Sequence, residues 1–178
     1  MSSDATAVTL RGSCLCKWIK FTISIPQGSQ RLLTSSGKIA ATNCHCAICR
    51  NSMGSLFGTW AHIPAECFTV SDLAMNLGTY RSSENITRTF CRVCGTSLFC
   101  AEDGWKVIPE DKSVGNLLYN REIKGKEGRV VDVAVGAIDD ADVRKHVEIV
   151  EHIFMESSLL RRQDSSLPRY QGSRLRLS

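Results

Sequence analysis

The sequence predicts a mainly β fold with few, short helices. Apolar residues recur at every second position in several short runs. Those runs are rich in β-branched and aromatic residues, with Gly, Asn, Ser and Pro clustered between them, and no helical pattern is long enough to dominate. At 178 residues and 43% apolar content, the chain has material for one packed domain.

The elements follow in order. "WIKFTISI" (18–25) alternates Ile19, Phe21, Ile23 and Ile25 with Lys20, Thr22 and Ser24, the period of a half-buried strand, and "PQGSQ" ends it. A short helix is expected after Cys46. "SLFGTWAHI" (55–63), "ITRTF" (86–90), "TSLFC" (96–100) and "RVVDVAVGAI" (129–138) read as further strands. "DDADVRKH" (139–146) is the second helix candidate, with Asp139 or Asp140 as its cap, and "VEIVEHIF" (147–154) adds a last strand. Residues 101–128 are the least periodic and predict a long excursion between strands. That excursion, with Trp105 and Tyr119, reads either as a lid or, preferably, as a solvated loop with Trp105 on a sheet edge. No linker divides residues 10–156, so one domain is expected over 8–156, followed by an Arg/Ser-rich tail over 157–178.

The net charge is +4, and the tail accounts for it. Residues 157–178 carry Arg161, Arg162, Arg169, Arg174 and Arg176 against the single acid Asp164, so the body is neutral. It offers no net attraction for phosphates, and no nucleic-acid partner is expected. No run approaches the roughly 18 apolar residues of a membrane-spanning helix, and the N-terminus lacks the basic and apolar regions of a signal peptide. A cytoplasmic protein with no membrane partner is the expectation.

In such a reducing compartment, clustered cysteines bind metal or do chemistry more often than they form disulfides. Seven of the nine cysteines fall into three clusters: Cys14-x-Cys16, Cys44-x-Cys46-x-x-Cys49 and Cys91-x-x-Cys94. In extended chain, residues two apart point to one side, so C-x-C aims two thiolates at one ion. C-x-x-C achieves the same through a tight turn that Gly95 can supply. Cys14, Cys16, Cys91 and Cys94 would complete a closed, structural four-thiolate site, stapling segments about 75 residues apart. Cys44, Cys46 and Cys49 would then hold a second ion with one open position, the arrangement of a catalytic zinc.

Other partitions use the same residues. Cys67 or Cys100 could close the central site, or Cys44, Cys46, Cys91 and Cys94 could form one site. The simplest reading of Cys67 and Cys100 is as small buried apolar residues. Two Zn2+ ions per chain are favoured over copper or an iron–sulfur cluster by the spacings. His45, between two ligands on extended chain, should point away from them, as a supporting group or proton shuttle. His62, His146 and His152 lack metal-binding spacing and read as packing or surface residues.

"GSCLCKW" (12–18), "CHCAICRNSMGSLFGTW" (44–60) and "FCRVCGTSLF" (90–99), in that order, resemble the glutathione-dependent formaldehyde-activating enzyme family, whose domain is shared with centromere protein V. The resemblance spans about residues 8–155, and "LPRYQGSR" also looks like the C-terminus of fungal members. It implies a β-tent zinc-binding fold. It further implies a structural zinc on Cys14, Cys16, Cys91 and Cys94 and a catalytic one on Cys44, Cys46 and Cys49, while Arg50, Gly54 and Ser55 match the motif's continuation. One departure is visible: Lys17 stands where the family commonly has glycine.

Three thiolates leave Zn2+ with a net negative charge, a poor Lewis acid that depresses the pKa of bound water little. A soft thiol is the better fourth ligand. The expected function is therefore a zinc-dependent carbon–sulfur lyase-type step, the reversible addition of glutathione or another thiol to a small carbonyl. Arg50, beside the last ligand, would balance charge or orient a substrate carboxylate. The rival readings are a zinc enzyme acting on a fungal secondary-metabolite intermediate and a non-catalytic zinc-stabilised binding module.

Overall fold

The period-2 run near the N-terminus becomes a strand, Ile19–Pro26, that buries Ile19, Phe21, Ile23 and Ile25 and leaves Lys20 exposed. The computed structural model describes residues 6–29, 32–72, 76–102, 106–111, 116–120 and 130–160, of which 6–7, 102, 106–111 and 116–120 are described as backbone. In chain order the elements are β1 (Thr6–Ser13), β2 (Ile19–Pro26), β3 (Ile39–Cys44), α1 (Ala47–Met53), β4 (Gly58–Pro64), β5 (Phe68–Asp72) and β6 (Leu77–Ser83). Then come β7 (Ile86–Cys91), β8 (Ser97–Glu102), β9 (Lys106–Asp111), β10 (Asn116–Asn120), β11 (Val130–Ala134), α2 (Asp140–His146) and β12 (Val147–Ile153). The protein is mainly β, as predicted.

The strands form two sheets, ordered β1-β2-β5-β10-β9 and β12-β3-β4-β11-β8-β7-β6. All pairs are antiparallel except β12 with β3, where Val147 to Ile153 run alongside Ile39 to Cys44. The sheets meet through three rings: Phe21 and Phe68 from the first and Phe99 from the second, with centroids 4.9–5.9 Å apart in tilted and edge-on contacts. Leu10, Ile23, Val70, Ile63, Val131 and Leu98 fill the space around them. Each such side chain removed from water contributes about 1.5–3 kcal/mol.

At Gly12 the backbone of β1 passes so close that a Cβ would overlap the Phe21 ring and the Ala137 carbonyl oxygen. The approach brings Gly12 into a bridge with Ile138, lets Asp139 N–H donate to Arg11 O at 2.8 Å, and lets Arg11 N–H donate to Asp142 at 2.7 Å. The edge strand is thereby fastened to α2. In that helix Asp140 and Asp142 lie in the first turn and Arg144, Lys145 and His146 in the last, as the helix dipole favours. Asp139 takes the cap position, without a side-chain capping bond.

Several boundaries differ from the sequence expectation. β4 starts at Gly58 rather than at 55, because Gly54 ends α1 in the left-handed conformation (φ 59°) and the next residues turn the chain. β11 stops at Ala134, where Val135–Ala137 wind into one 3-10 turn. β3 shows almost no alternation, since four of its six residues from Ala41 onward are buried together; β6 is largely exposed. Neither carries a clear period-2 signal. The expected excursion over 101–128 contains β9 and β10, which pair with each other and, through β10, with β5. Trp105 and residues 161–178 of the tail lie outside the described residues. No described helix is long and apolar enough to cross a membrane.

Gly12→Ala should cost about 1–3 kcal/mol through overpacking against Phe21 and rigid backbone. Gly136→Ala, where a Cβ would meet nothing within 4 Å, should stay within about 0.5 kcal/mol. Urea denaturation of the two variants checks the contrast.

Candidate metal centres

Cys14 and Cys16 follow β1, Cys91 ends β7, and Cys94 leads into β8. Each pair sits on a tight turn. Lys17 N–H donates to Cys14 O at 3.0 Å and Gly95 N–H to Cys91 O at 2.9 Å, with Lys17 (φ 66°) and Gly95 (φ 75°) both left-handed. The departure at Lys17 thus falls where glycine costs nothing and an L side chain is strained. The four sulfurs lie within 4.8 Å of one another, Cys14 to Cys16 at 3.4 Å and Cys16 to Cys91 at 3.7 Å. A tetrahedral zinc with bonds of about 2.3 Å requires sulfurs about 3.8 Å apart. The donor set fits that ion.

Hydrogen-bond donors around this cluster aim at sulfur. Ile19 N–H donates to Cys14 Sγ at 3.3 Å. Thr96 Oγ1 accepts from Leu15 N–H at 3.0 Å, which leaves its hydroxyl proton for Cys94 Sγ at 3.1 Å. One hydroxyl therefore links the two turns. Burial opposes ionisation of Cys94, yet the Thr96 hydroxyl and amide outweigh it and pull the thiol down to about 5. Cys91 is pushed up, first by burial. Thiols this close cannot all ionise unless a cation neutralises them.

The second cluster joins a strand end to a helix start. Cys44 closes β3, Cys46 is the N-cap of α1, and Cys49 lies in the first turn. Cys46 Sγ accepts the Cys49 amide at 3.3 Å, a sulfur doing the capping work of a serine or aspartate oxygen. Cys44 and Cys46 sulfurs are 3.6 Å apart, and all three lie within 4.8 Å. Contact with Cys44 and then Cys49 stabilises Cys46 as the thiolate, down to about 2, while Cys46 and then Cys49 push Cys44 upward. Gly58, the register partner of Cys44, makes the close approach: a Cβ there would stand 2.6 Å from Trp60 Nε1 and 3.2 Å from Cys49 Cβ.

These two groups are the first partition read from the sequence. Among the described residues, neither Cys67 nor Cys100 joins a metal-ligand cluster, and no fourth side chain joins Cys44, Cys46 and Cys49. Cys67 and Cys100 are buried. Arg50 points its guanidinium elsewhere than the sulfurs: Nη1 donates to His45 O at 2.6 Å and to Ser157 O. His45, fully buried, bonds through Nε2 to His152 Nδ1 at 2.7 Å and through Nδ1 to Ser158 Oγ at 2.9 Å. His62 is held in the sheet by Asp132 and Thr42, each at 2.7 Å.

The cation that touches the three-cysteine cluster is Arg88, from β7, which the sequence reading missed. Its Nη2 donates to Cys49 Sγ at 3.4 Å, its Nε to Ser82 Oγ at 3.0 Å, and its guanidinium lies 5.4 Å from the Trp60 ring centre. A signal was present: in "ITRTF", Arg88 shares a strand face with Ile86 and Phe90, a charge at an apolar position.

A family model described as glutathione-dependent formaldehyde-activating enzyme matches residues 9–110, a segment that includes all seven clustered cysteines and Arg88. No curated protein matches the chain. Among solved structures, the crystal structure of a Rhodobacter sphaeroides protein is similar at 16% identity and a TM-score of 0.44, covering 90% of this chain and 98% of that one.

Thr96→Val should cost about 1–2 kcal/mol, because it orphans Leu15 N–H and removes the donor to Cys94. Lys17→Gly should be neutral or gain about 0.5 kcal/mol, as relief of the left-handed strain slightly outweighs the added chain entropy. Denaturation midpoints of the metal-loaded protein measure both.

Proposed function

The chain belongs to the glutathione-dependent formaldehyde-activating enzyme family, and on that premise we propose that it is a zinc-dependent enzyme of the carbon–sulfur lyase type. Its reaction is the reversible addition of a thiol, glutathione in the first instance, to a small carbonyl compound. The observation that carries this reading is the contrast between a cluster of four cysteines and one of three with no fourth described ligand.

In this reading Cys14, Cys16, Cys91 and Cys94 hold a structural zinc, and Cys44, Cys46 and Cys49 hold the zinc of the reacting site. That ion would keep a substrate thiol deprotonated beside its electrophile. The chain's own groups do the rest. The β3–α1 junction fixes three sulfurs on one side of the site, and Arg88 offsets their accumulated charge through Cys49. Arg50 is a positioning residue: by binding the His45 and Ser157 carbonyls it braces the loop between Cys44 and Cys49. The catalytic domain is taken as 8–156, with 157–178 as an appended Arg/Ser-rich segment whose first residues bond to that loop. A reducing cytoplasm, with neither nucleic acid nor membrane as partner, suits nine free cysteines.

Elemental analysis with metal-edge absorption spectroscopy tests the proposal. The wild type should carry two zinc ions per chain and gain a zinc–sulfur bond when glutathione is added. Cys49→Ala should lose one ion and that response. Stripping both ions with a chelator should destabilise the fold by several kcal/mol, most of it from the four-cysteine site. Two closed four-sulfur sites indifferent to glutathione would overturn the reading in favour of a zinc-stabilised binding module.

A further inference from the structure

Two buried hydrogen-bond donors, Trp60 Nε1 and Arg88 Nη1, have no partner among the described residues. Trp60 is only 5% exposed, and a donor left unpaired in such a place costs about 1–3 kcal/mol. Folded proteins retain few of these groups. Here two occur on neighbouring side chains, since the Arg88 guanidinium lies over the Trp60 ring, 5.4 Å from its centre.

Both stand beside the three-cysteine cluster. The other two nitrogens of Arg88 are engaged, Nε with Ser82 and Nη2 with Cys49 Sγ, so the orphaned Nη1 belongs to a guanidinium already anchored on a ligand sulfur. Trp60 Nε1 lies against Gly58, at the point from which a Cβ would also reach Cys49 Cβ at 3.2 Å. The register confirms a shared face. Cys44 opposes Gly58, and Trp60 opposes Thr42 and Ala134, while Arg88 reaches His62, two residues from Trp60, through Cys100 and Asp132. An indole N–H and a guanidinium N–H can only donate. A partner shared by the two would be an acceptor, best a negatively charged oxygen.

Thiol addition to a carbonyl creates such an oxygen. The thiol's proton passes to solvent, the sulfur lone pair forms the new C–S bond, the C=O π pair moves onto oxygen, and a proton returned from solvent completes the hemithioacetal. The charge appears one carbon from the sulfur. We propose that Arg88 Nη1 and Trp60 Nε1 are the paired donors that hold the carbonyl oxygen of the substrate and the alkoxide formed from it. This assignment rests on the central cluster being the reacting site. Donors fixed before reaction, in a water-poor site, lower the cost of developing charge, and the Cys49 and Ser82 bonds hold the Arg88 fork in place.

The test uses cobalt(II)-substituted protein, whose sulfur-to-metal charge-transfer band reports thiol binding without turnover. Thioacetate carries an oxygen on the carbon that bears its sulfur; ethanethiol carries none. Trp60→Phe, which keeps a ring and deletes the donor, should weaken thioacetate about tenfold, the equivalent of one lost hydrogen bond, while ethanethiol stays within about twofold. Arg88→Lys, which can serve Cys49 or the oxygen but not both, should show the same selective loss. Equal affinities of wild type and Trp60→Phe for thioacetate would overturn the assignment while leaving the thiol site standing. If ethanethiol and thioacetate both leave the wild-type band unchanged, the thiol reading itself fails. Cobalt content and far-UV circular dichroism confirm that each variant is folded and loaded; should Arg88→Lys lose its central ion, Trp60→Phe alone decides.

Discussion

Crowded thiolates repel one another, and the rest of the molecule is arranged around that repulsion. The sheets bring seven sulfurs into two groups whose members lie within 4.8 Å, a spacing that a cation makes favourable and its absence makes costly. One group joins the turn after β1 to the turn after β7, and so couples the first sheet to the second at the margin of the shared core. The other sits where β3 runs into α1. Everything near them follows the same logic: amides from Ile19 and Cys49 and the Thr96 hydroxyl aim at sulfur, and Arg88 is the cation set against Cys49.

The two groups differ in what surrounds them. The four-cysteine turns are closed by small polar contacts, and their sulfurs use up a tetrahedron. The three-cysteine junction opens onto a sheet face of mixed character, on which Arg88, Cys100, Asp132 and His62 follow one another across neighbouring strands. A fully apolar face would pack better. A polar row beside three cysteines with no fourth described ligand is what the proposed thiol site would use to receive a small polar molecule.

Much of this was legible in the residues. Spacing gave the three cysteine clusters, because C-x-C and C-x-x-C encode local geometry; their grouping was one of several partitions, and the fold selects it by bringing the turn after β1 to the turn after β7. Alternation located β2, and short β-branched and aromatic runs located β4, β7, β8, β11 and β12; alternation was the clearer signal. It failed for β3, buried on both faces, and for β6, exposed on both, since period 2 is visible only in a half-buried strand. Residues 101–128 read as loop because their pairing is between β9, β10 and β5, a long-range matter that local pattern does not carry. Arg50 drew attention by adjacency to a ligand, whereas Arg88, about 40 residues further on, needed the sheet to bring it there.

The parallel pairing of β12 with β3 bears on how the molecule is made. Ile39 acquires its neighbour Val147 only after more than a hundred intervening residues exist, and the loop carrying His45 finds His152 and Ser158 later still. Closing so long a loop is entropically expensive before any contact rewards it. β3 already has β4 along one edge, and Cys44, Cys46 and Cys49 are near neighbours in sequence, so that cluster can gather before β12 exists, whereas the turns of the other must wait for the 75 residues between Cys16 and Cys91 to be closed. Order of assembly, and with it the order in which the chain becomes able to retain an ion, is written into which strand stands next to which.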